Sequence, residues 1–591
     1  MNRQSADASP GVLSRVSRLS GAIALALSAG LCLAQATTNP AAANPQGKPA
    51  VKAVKPKAGK PGWWNDAVFY QIFVRSFSDS RQGPLANDGV GDFMGIVDRM
   101  DYINDGRADT EDDLGATAIW LMPMMESPSY HGYDIKDYYS VDKEYGTTAD
   151  FVRFMTECRA RNIRVILDFV PNHCSSEHPW FLEAQDPKSK KRDWFIWSKT
   201  LPTWKGPWNQ EVWHPTPPPD GAGKRPDGVT PGAPYYYGIF SPVMPDLNYR
   251  NPEVTREMFN VVQYWMKDMQ VDGFRLDAIR HLIEKDSVQE NTPETHEWLK
   301  KYLKHTKSIK PDAFSVGEVW ADTATVASYI GDELDSCFEF DVAYRTIDAV
   351  NNADAKVLSD AVTQAWGAIP RNMYSSFLSN HDHTRVATRF GGDAAKCKLG
   401  ATLLFTLPGM PFMYYGEELG MTGDKPDENL RTPMQWSNQI NAGFSAVKPW
   451  RAPNNGYQKQ NVMMQARDPE SILSAYRKLI RLRLANSALN DGDFQAIDTG
   501  DNKVFAFLRT PPSGKRNDPS FLVIANLSAE PIKGVKLSAK ETTLRRGKVY
   551  DAWEGKTELA APKLNIRGGF DEYAPVGEIG PRSAAILKIV N

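Results

Sequence analysis

Between residues 67 and 418, apolar strand-like runs alternate regularly with amphipathic helical runs. The eight strand-like runs are 67–77, 116–123, 163–170, 271–278, 314–320, 336–342, 374–382 and 410–418. Strands that are apolar along their length and separated by helices predict a parallel sheet buried on both faces. Eight of them predict an α/β fold, a closed (β/α)8 TIM barrel. An open doubly wound sheet would carry a glycine-rich phosphate loop after an early strand, and none is evident.

Two further segments predict additional domains. Residues 171–250 separate the third run from the next helix and are rich in Pro, Trp and Tyr. They are too long for a structureless loop and predict an inserted subdomain. The barrel is then divided into 62–170 and 251–489. From 490 to 591 the pattern changes to short alternating runs, which predict a C-terminal antiparallel β-sandwich domain.

The N-terminus has the pattern of an export signal. Positive charge precedes the apolar run "GAIALALSAGLCLA" (21–34), and "AQA" (34–36) fits a cleavage site between small residues. We therefore predict a signal peptide over 1–36, followed by a disordered tether rich in Pro, Ala and Lys over 37–61. The protein is expected to be exported, to the periplasm or the medium.

Composition narrows the class of partners. A formal net charge of −2 gives no general attraction for nucleic acid or an anionic membrane. Beyond the signal, no stretch has the length and apolarity of a membrane span. Four cysteines remain after cleavage and none forms a CxxC pair, so we expect mostly buried thiols, although export permits disulfides. These cysteines are Cys158, Cys174, Cys337 and Cys397.

Charged residues collect where the predicted strands end. Asp168 ends the third strand, Arg275 and Asp277 end the fourth, Glu318 lies in the fifth and Asp382 ends the seventh. In a barrel of parallel strands these ends share one rim, where catalytic groups lie. Each residue alone has a structural explanation, but three acids from three strands at one rim (Asp277, Glu318 and Asp382) predict a pair of catalytic carboxylates, as glycoside cleavage requires.

The two carboxylates of such a pair need different environments. Arg275 precedes Asp277 by two residues, so both side chains leave the same face of the strand. We expect the guanidinium to hold Asp277 ionised at neutral pH. Val319 and Trp320 follow Glu318 and are expected to provide the apolar contact that raises its pKa.

A metal-dependent hydrolase is the competing class of enzyme. It would need His and carboxylate ligands at HxH or HExxH spacing. "HDH" (381–383) is the only close pair of histidines and has no partner motif. The sequence therefore favours the carboxylate pair.

Four ordered motifs carry a resemblance to a known family: "DFVPNH" (168–173), "GFRLDAIRH" (273–281), "GEVW" (317–320) and "FLSNHD" (377–382). A fifth, "MPDLN" (244–248), ends the inserted segment. With these motifs the chain resembles the α-amylase family of glycoside hydrolases over nearly all of its mature length.

The resemblance implies roles for individual residues. Asp277 is the expected nucleophile and Glu318 the general acid/base of a retaining, double-displacement mechanism. Asp382 is the expected third carboxylate, which holds sugar hydroxyls. The implied substrate contacts are Tyr133, His131, His173, Arg275, Arg280, His281, His381 and Arg431.

Local sequence features distinguish members of the family that cleave internal glycosidic bonds from members that cleave at chain ends. Tyr130 stands where glucosidases that resemble oligo-1,6-glucosidase have an Asp, and Arg280 and His281 are placed as in amylases. "MPDLN" resembles a group intermediate between the oligo-1,6-glucosidase and neopullulanase subfamilies. In contrast, "RTPMQW" (431–436) is common in glucosidases and trehalose synthases.

These features favour an α-amylase that cleaves internal α-1,4 bonds of starch, glycogen or maltooligosaccharides. The alternative is an exo-acting α-glucosidase or a glucosyl-transferring enzyme of the maltose or trehalose type. A non-catalytic sugar-binding relative is disfavoured because all three acids are present. A monomer is expected.

The loop after the first strand is a candidate calcium site. Its oxygen-rich motif "DGVGD" (88–92) suits Ca²⁺ and resembles a calcium loop of the glucosidase branch. A hydrated acidic turn is the alternative. The candidate ligands are Asp79, Asn87, Asp88, the carbonyl of Val90, and Asp92. Asn172 and Asp246 are candidates for an amylase-type calcium site.

Overall fold

The structure is a computed structural model that describes residues 62–107, 109–216, 234–512, 515, 517–553, 555 and 557–590. The predicted signal peptide and tether lie outside these residues. Eight parallel strands form a closed barrel: β1 (Phe69–Ile72), β2 (Ala118–Leu121), β3 (Arg164–Phe169), β4 (Gly273–Leu276), β5 (Phe314–Gly317), β6 (Ser336–Phe338), β7 (Tyr374–Phe377) and β8 (Met410–Tyr414). Each strand pairs with its neighbours in sequence, and β1 closes the barrel against β8. The predicted TIM barrel is confirmed.

The observed strands are shorter than the predicted runs, chiefly at their carboxyl ends. The chain leaves the sheet there to form the rim loops, so polar residues such as Asp277 and Glu318 follow the strands directly. The amino-terminal end of the barrel is filled by aromatic side chains. Phe69 and Phe412 stack in parallel with their ring centroids 4.1 Å apart. The packing at this end stabilises the barrel, and the catalytic groups lie at the opposite rim.

Gly273 opens β4 because no side chain fits there. An added Cβ would lie 1.9 Å from the carbonyl oxygen of Phe314 on β5. The close approach of the two backbones keeps β4 and β5 in register, with Arg275 opposite Val316. On its other edge β4 places Arg275 opposite Asp168 of β3.

Helices cover the barrel. The long ones are Thr148–Ala160, Pro252–Gln263, Pro293–Ile309, Phe340–Asn352, Ala355–Ala368, Ala394–Thr406 and Ile472–Leu484. The first begins at a capping box, in which Thr147 and Asp150 each bond the other's backbone. Shorter helical segments are Trp63–Asp66, Val74–Phe77, Phe93–Val97, Met100–Ile103, Pro179–Ala184, Arg192–Trp194, Tyr264–Asp268, Ile279–His281, Thr323–Ser328, Val386–Arg389, Glu417–Leu419, Asp427–Leu430, Ile440–Gly443, Val462–Gln465 and Ser487–Asn490.

Between β3 and the helix that begins at Pro252, the chain forms a small sheet that is separate from the barrel. Three short antiparallel strands, Trp197–Ser198, Trp213–Pro215 and Tyr235–Tyr237, make a sheet with the last in the centre. Aromatic packing supplies its core, as in the contact of Phe181 with Tyr236 at 4.9 Å between centroids. A backbone bridge between His173 and Asp246 ties this segment to the end of β3. Before it, Met125–Glu126 and Asp137–Val141 pair as a two-stranded ribbon.

The C-terminal region is an antiparallel β domain, as predicted. Its main sheet has six strands in the order Asp493–Ile497, Val504–Thr510, Ser520–Asn526, Ser583–Val590, Lys548–Asp551 and Glu558–Leu559. Two smaller sheets pair Ile532–Lys533 with Glu578–Ile579 and Leu537–Glu541 with Gly568–Tyr573. One face of the main sheet shares a hydrophobic cluster with the barrel, and the other packs on the smaller sheets.

All four cysteines of the described region are buried free thiols, as predicted. Among the described residues, no helix combines the length and the apolarity needed to cross a membrane.

Candidate active site

The carboxyl ends of four barrel strands bring four acidic side chains to one rim. Asp168 is the fifth residue of β3, Asp277 and Glu318 directly follow β4 and β5, and Asp382 lies five residues beyond β7. The structure therefore brings together the three predicted catalytic acids, with Asp168 below them.

The Arg275 guanidinium forms ion pairs with three of these four acids. Its Nη1 lies 2.8 Å from Asp168 Oδ1 and 2.6 Å from Asp277 Oδ1, and its Nη2 lies 2.9 Å from Glu318 Oε2. The guanidinium is almost completely buried. One planar group thus bridges Asp277 and Glu318 and fixes the two carboxylates side by side, as only an Arg fork can.

The backbone after Asp277 is strained to complete this arrangement. Ala278 adopts a left-handed conformation with φ of 49°, which is unusual for a residue with a side chain. Its N–H donates to Glu318 Oε2 at 3.1 Å. Strain of this kind concentrates at functional sites, where the surrounding structure holds it in place.

Burial is the main cause of the raised pKa values of Asp168, Asp277 and Glu318. Burial raises the pKa of Glu318 to about 7 and is assisted by repulsion from Asp277 and Asp382, while Arg275 opposes it. Burial also raises the pKa of Asp277 to about 7 and that of Asp168 to about 6. Because the three carboxylates share one guanidinium charge, they titrate as a unit near neutral pH.

This result corrects the expectation that the Arg275 guanidinium holds Asp277 ionised at neutral pH. Arg275 does lower the pKa of Asp277, but its charge is divided among three buried acids, so burial prevails. The expected source of the Glu318 shift also changes. Val319 is buried, but Trp320 stacks on Phe340 with 44% of its surface exposed. Burial at the rim and neighbouring negative charge account for the shift.

Asp382 has the opposite environment. Burial opposes its ionisation, but the positive charges of Arg431, Lys425 and Arg275, together with the contact of His381, outweigh that effect and lower its pKa well below the usual range. Arg431 Nη2 lies 3.0 Å from Asp382 Oδ1, and His381 Nε2 lies 3.0 Å from the other carboxylate oxygen. Asp382 is therefore a fixed negative charge at the rim.

Tyr133 and His381 form an aromatic wall beside the acids. Their rings stack 5.4 Å apart at 11°, and His381 Nε2 lies within hydrogen-bond distance of the Tyr133 hydroxyl. That hydroxyl also donates to Asp168 Oδ2 at 3.1 Å. Burial lowers the pKa of His381, so the imidazole is neutral at pH 7. The predicted stacking residue therefore lies at the centre of the site.

His131 and His173 hold the loop that carries Tyr133. His131 Nδ1 accepts from the Tyr133 backbone N–H at 3.1 Å, and His173 Nε2 lies 3.2 Å from the Tyr133 carbonyl oxygen. Burial lowers the pKa of each histidine to about 3, so both rings are neutral. The contacts found here position Tyr133.

Arg280 and His281 lie just beyond Asp277 and are engaged by the protein itself. Arg280 Nη1 donates to the Trp320 carbonyl oxygen at 2.5 Å, and its Nη2 pairs with Glu290 at 2.8 Å. His281 is buried, with Nδ1 3.0 Å from the Gln289 carbonyl oxygen. Their predicted contact with substrate stays a prediction.

A model of the α-amylase catalytic domain matches residues 71–492, which include the barrel from the middle of β1 to beyond β8. The chain belongs to the α-amylase family. The motifs of this family at 168–173, 273–281, 317–320 and 377–382 are the segments that supply the acids and Arg275 to the rim.

Individual members of the α-amylase family match over most of their length. Alpha-amylase 3 of Dictyoglomus thermophilum is 36% identical over 474 residues, 79% of this chain and 85% of that protein. Glucan 1,6-alpha-glucosidase of Streptococcus pneumoniae is 33% identical over 526 residues, 79% of this chain and 92% of that protein. The crystal structure of an alpha-amylase from H. orenii superposes with a TM-score of 0.73 at 33% identity, covering 88% of this chain and 99% of that one.

Sequence reasoning missed three residues that support this α-amylase-family site. Gln71, whose Nε2 lies 2.9 Å from His381 Nδ1, was detectable as a lone polar residue in the apolar strand β1. Asp427 pairs with Arg431 at 3.2 Å, an i,i+4 spacing that the sequence displays. Trp450 stacks on Tyr130 at 5.4 Å between centroids, and no sequence signal connects them.

The predicted calcium loop of this α-amylase-family chain has hard oxygen donors, but backbone amides bind its carboxylates. Asp79 accepts from the N–H groups of Asn87 and Gly89, each at 2.9 Å. Asp92 accepts from Ser80 and Gly95, and Asp88 accepts from Val90. In the part of the chain that the structure describes, no three His, Cys, Asp or Glu side chains are arranged to hold a metal ion.

The second calcium candidate fits better. Asn172 Oδ1 and Asp246 Oδ2 are buried, and neither has a hydrogen-bond partner among the described residues. Burial raises the pKa of Asp246 well above its usual value. A buried carboxylate oxygen beside a buried amide oxygen, both unsatisfied, is a donor set that Ca²⁺ would satisfy.

Proposed function

We propose that the protein is an endo-acting α-amylase, a retaining glycoside hydrolase that cleaves internal α-1,4 bonds of starch, glycogen or maltooligosaccharides. The observation that carries the chemistry is the bridging of Asp277 and Glu318 by one guanidinium. Retaining enzymes need two carboxyl groups about 5 Å apart, one ionised and one protonated. A pair that shares one cation and titrates near neutral pH can supply both forms.

In the first step the Asp277 carboxylate attacks the anomeric carbon while Glu318 gives its proton to the glycosidic oxygen. The bond between that carbon and oxygen breaks, and the aglycone leaves as an alcohol. Arg275 holds both carboxyl groups in place. Asp382, ionised and fixed by Arg431, accepts hydrogen bonds from the hydroxyls of the reacting sugar and stabilises its developing positive charge.

In the second step Glu318, now a carboxylate, takes a proton from water. The resulting hydroxide attacks the anomeric carbon and releases Asp277. The two inversions restore the α configuration. The partly exposed ring of Tyr133, backed by the buried ring of His381, provides a flat face on which the ring of the reacting sugar stacks.

Internal cleavage is supported by the residues near Arg431. The Tyr130 ring lies 5.8 Å from the Arg431 guanidinium, at the position where related exo-glucosidases have an Asp, and it stacks on Trp450. An aromatic pair can pack against a further sugar, whereas a carboxylate would hold a chain end. The relative named alpha-amylase 3 supports the same choice.

An exo-acting α-glucosidase or a glucosyl-transferring enzyme is the second candidate. The motif "RTPMQW" and the relative named glucan 1,6-alpha-glucosidase favour it. Both candidates use the same acids, so only the products distinguish them.

The test is to size the products of soluble starch and of maltose over time. Endo-action predicts early oligosaccharides of intermediate length from starch and slow attack on maltose. Glucose as the sole product from both substrates would establish the exo alternative. Asp277→Asn should lower turnover by about 1,000-fold or more with little change in melting temperature. Most of the activity surviving in this variant would contradict the nucleophile assignment.

We also propose that the folded protein binds structural Ca²⁺ and is monomeric. The chain is exported, and its signal peptide is cleaved after Ala36. Asn172 and Asp246 are the residues we expect to hold the ion, with the 79–92 loop as the second candidate. A melting temperature that falls with chelator and recovers with Ca²⁺ but not Mg²⁺ would support calcium binding, and Asp246→Asn should remove that response. N-terminal sequencing and sedimentation test the other two proposals.

A further inference from the structure

A pocket lies between the inserted segment and the loop after β4, and none of the four rim acids lines it. Its volume is 440 Å³, and its lining includes Trp204, Trp213, Arg250 and Glu284. This volume is within the range of small-molecule sites.

Two walls of the pocket are aromatic. Trp204 and Trp213 are half-buried, and their rings meet at 80° with centroids 5.5 Å apart, so they form a corner. Both rings are fixed from behind by Tyr237, at 5.7 and 5.4 Å. A rigid aromatic corner matches the flat apolar faces of a pyranose ring and costs little conformational entropy on binding.

The polar groups of the pocket include a buried ion pair and an N–H group without a partner. Glu284 is buried, with only 7% of its surface exposed, and Arg250 lies 3.5 Å from its carboxylate and also donates to its backbone carbonyl oxygen. The indole N–H of Trp213 is buried and has no acceptor among the described residues. Buried polar groups without good partners are uncommon in folded proteins and call for an explanation. Sugar hydroxyls, which both donate and accept, would satisfy a carboxylate and an N–H group together.

A layer of rings separates the pocket from the acids. His281, three residues before Glu284, packs against Trp208 and Phe240 at 5.5 and 5.8 Å, and Phe240 lies 5.3 Å from His173. The pocket is thus on the side of Arg280 and His281, and none of the catalytic acids lines it.

We infer that this pocket is a second carbohydrate site, which binds glucosyl units of an α-1,4-glucan outside the catalytic centre and retains long substrates on the enzyme. The inference rests on the proposed function. Trp204 and Trp213 stack against the sugar, and Glu284 and Arg250 bind its hydroxyls.

The test counts maltotriose molecules bound by the Asp277→Asn protein in titration calorimetry, because one trisaccharide is too short to occupy both sites. We expect two per chain, and one per chain when Trp204→Leu or Glu284→Gln is added. Glu284→Gln keeps the shape of the side chain, so it remains informative if Trp204→Leu disturbs folding. Trp553→Leu, at an exposed tryptophan of the C-terminal domain, is the matched control and should leave two.

Activity gives the second readout. With the catalytic acids intact, Trp204→Leu and Glu284→Gln should lower kcat/KM for amylose by about 5- to 20-fold and leave that for p-nitrophenyl α-maltoside within twofold. One maltotriose per chain in the Asp277→Asn parent, or two retained in both pocket variants, would overturn the inference while leaving the proposed function standing. Equal loss on long and short substrates would also overturn it. No cleavage of any α-glucan by the unmodified protein would overturn the proposed function as well.

Discussion

Replacing Asp168 by asparagine tests the sharing of Arg275 directly. Asp168 Oδ1 and Asp277 Oδ1 accept from the same Arg275 nitrogen, at 2.8 and 2.6 Å. The two negative charges are therefore about 5 Å apart. Asp168→Asn keeps the size of the side chain and removes one of these charges without touching Asp277 or Glu318.

The magnitude follows from this separation. Two unit charges about 5 Å apart at an effective dielectric constant of about 20 interact by about 3 kcal/mol, or about 2 pKa units. Removing a negative charge favours ionisation of the remaining acids, so the pKa values of Asp277 and Glu318, both about 7 in the protein, should fall. Since Asp168 itself has a pKa of about 6 and is partly protonated in acid, we expect a shift of about 1 to 2 pH units.

The assay is the pH dependence of kcat/KM on a chromogenic maltooligosaccharide. Its acid limb reports the base form of Asp277 and its alkaline limb the acid form of Glu318. Both limbs should move to lower pH. Arg275 keeps two carboxylate partners, so the free energy of unfolding should fall by only about 1 to 2 kcal/mol, less than the loss of a sole buried partner.

Asp113→Asn is the control, because Asp113 is a buried acid that pairs with Arg481 at 2.6 Å outside the cluster. It should lower stability without moving the pH profile. An unchanged profile in Asp168→Asn would mean that Asp168 is neutral in the folded protein, and a shift to higher pH would refute the sharing of Arg275.

Three further outcomes are expected. Arg275→Lys replaces the guanidinium that bridges Asp277 and Glu318 with a point charge. We expect kcat to fall by about 100-fold or more and the acid limb of the pH profile to move to higher pH. An unchanged acid limb would contradict the role of Arg275 in bridging the two carboxylates. Tyr130→Asp places a carboxylate beside Arg431 and should shift starch products towards glucose, and an unchanged product distribution would remove Tyr130 as a determinant of internal cleavage. Burial raises the pKa of Glu417 to about 8, so the stability that its protonated form contributes is fully present below its unfolded pKa of about 4.5 and is lost as pH rises through 8. Glu417→Gln should therefore flatten the fall in the free energy of unfolding, measured by urea, between about pH 5 and 8, and an unchanged slope would contradict the assignment.

Much of the fold and the site was predictable because the signals are local. Eight apolar runs fixed the number of barrel strands, and the carboxyl end of each strand marked the rim. The spacing of two residues between Arg275 and Asp277 correctly predicted that they lie together. The polar residue Gln71 within β1 could have been added on the same reasoning.

The rest depended on contacts between distant segments. That Arg275 also binds Asp168 and Glu318 follows from the register of β3, β4 and β5, which the sequence does not display. The expectation for the pKa of Asp277 was wrong for this reason. The stacking of Tyr130 on Trp450 joins residues 320 positions apart in a loop without a motif.

The arrangement around Arg275 has a consequence for the order of events in the proposed mechanism. When Asp277 becomes esterified to the sugar it loses its negative charge, and the repulsion that it exerts on Glu318 disappears. Arg275 then has one competitor fewer and favours the ionised form of Glu318 more strongly. The pKa of Glu318 should therefore be highest while it must donate a proton and lowest once it must accept one. Esterification of Asp277 would thereby convert Glu318 from an acid to a base at the step that requires it, without any movement of the backbone.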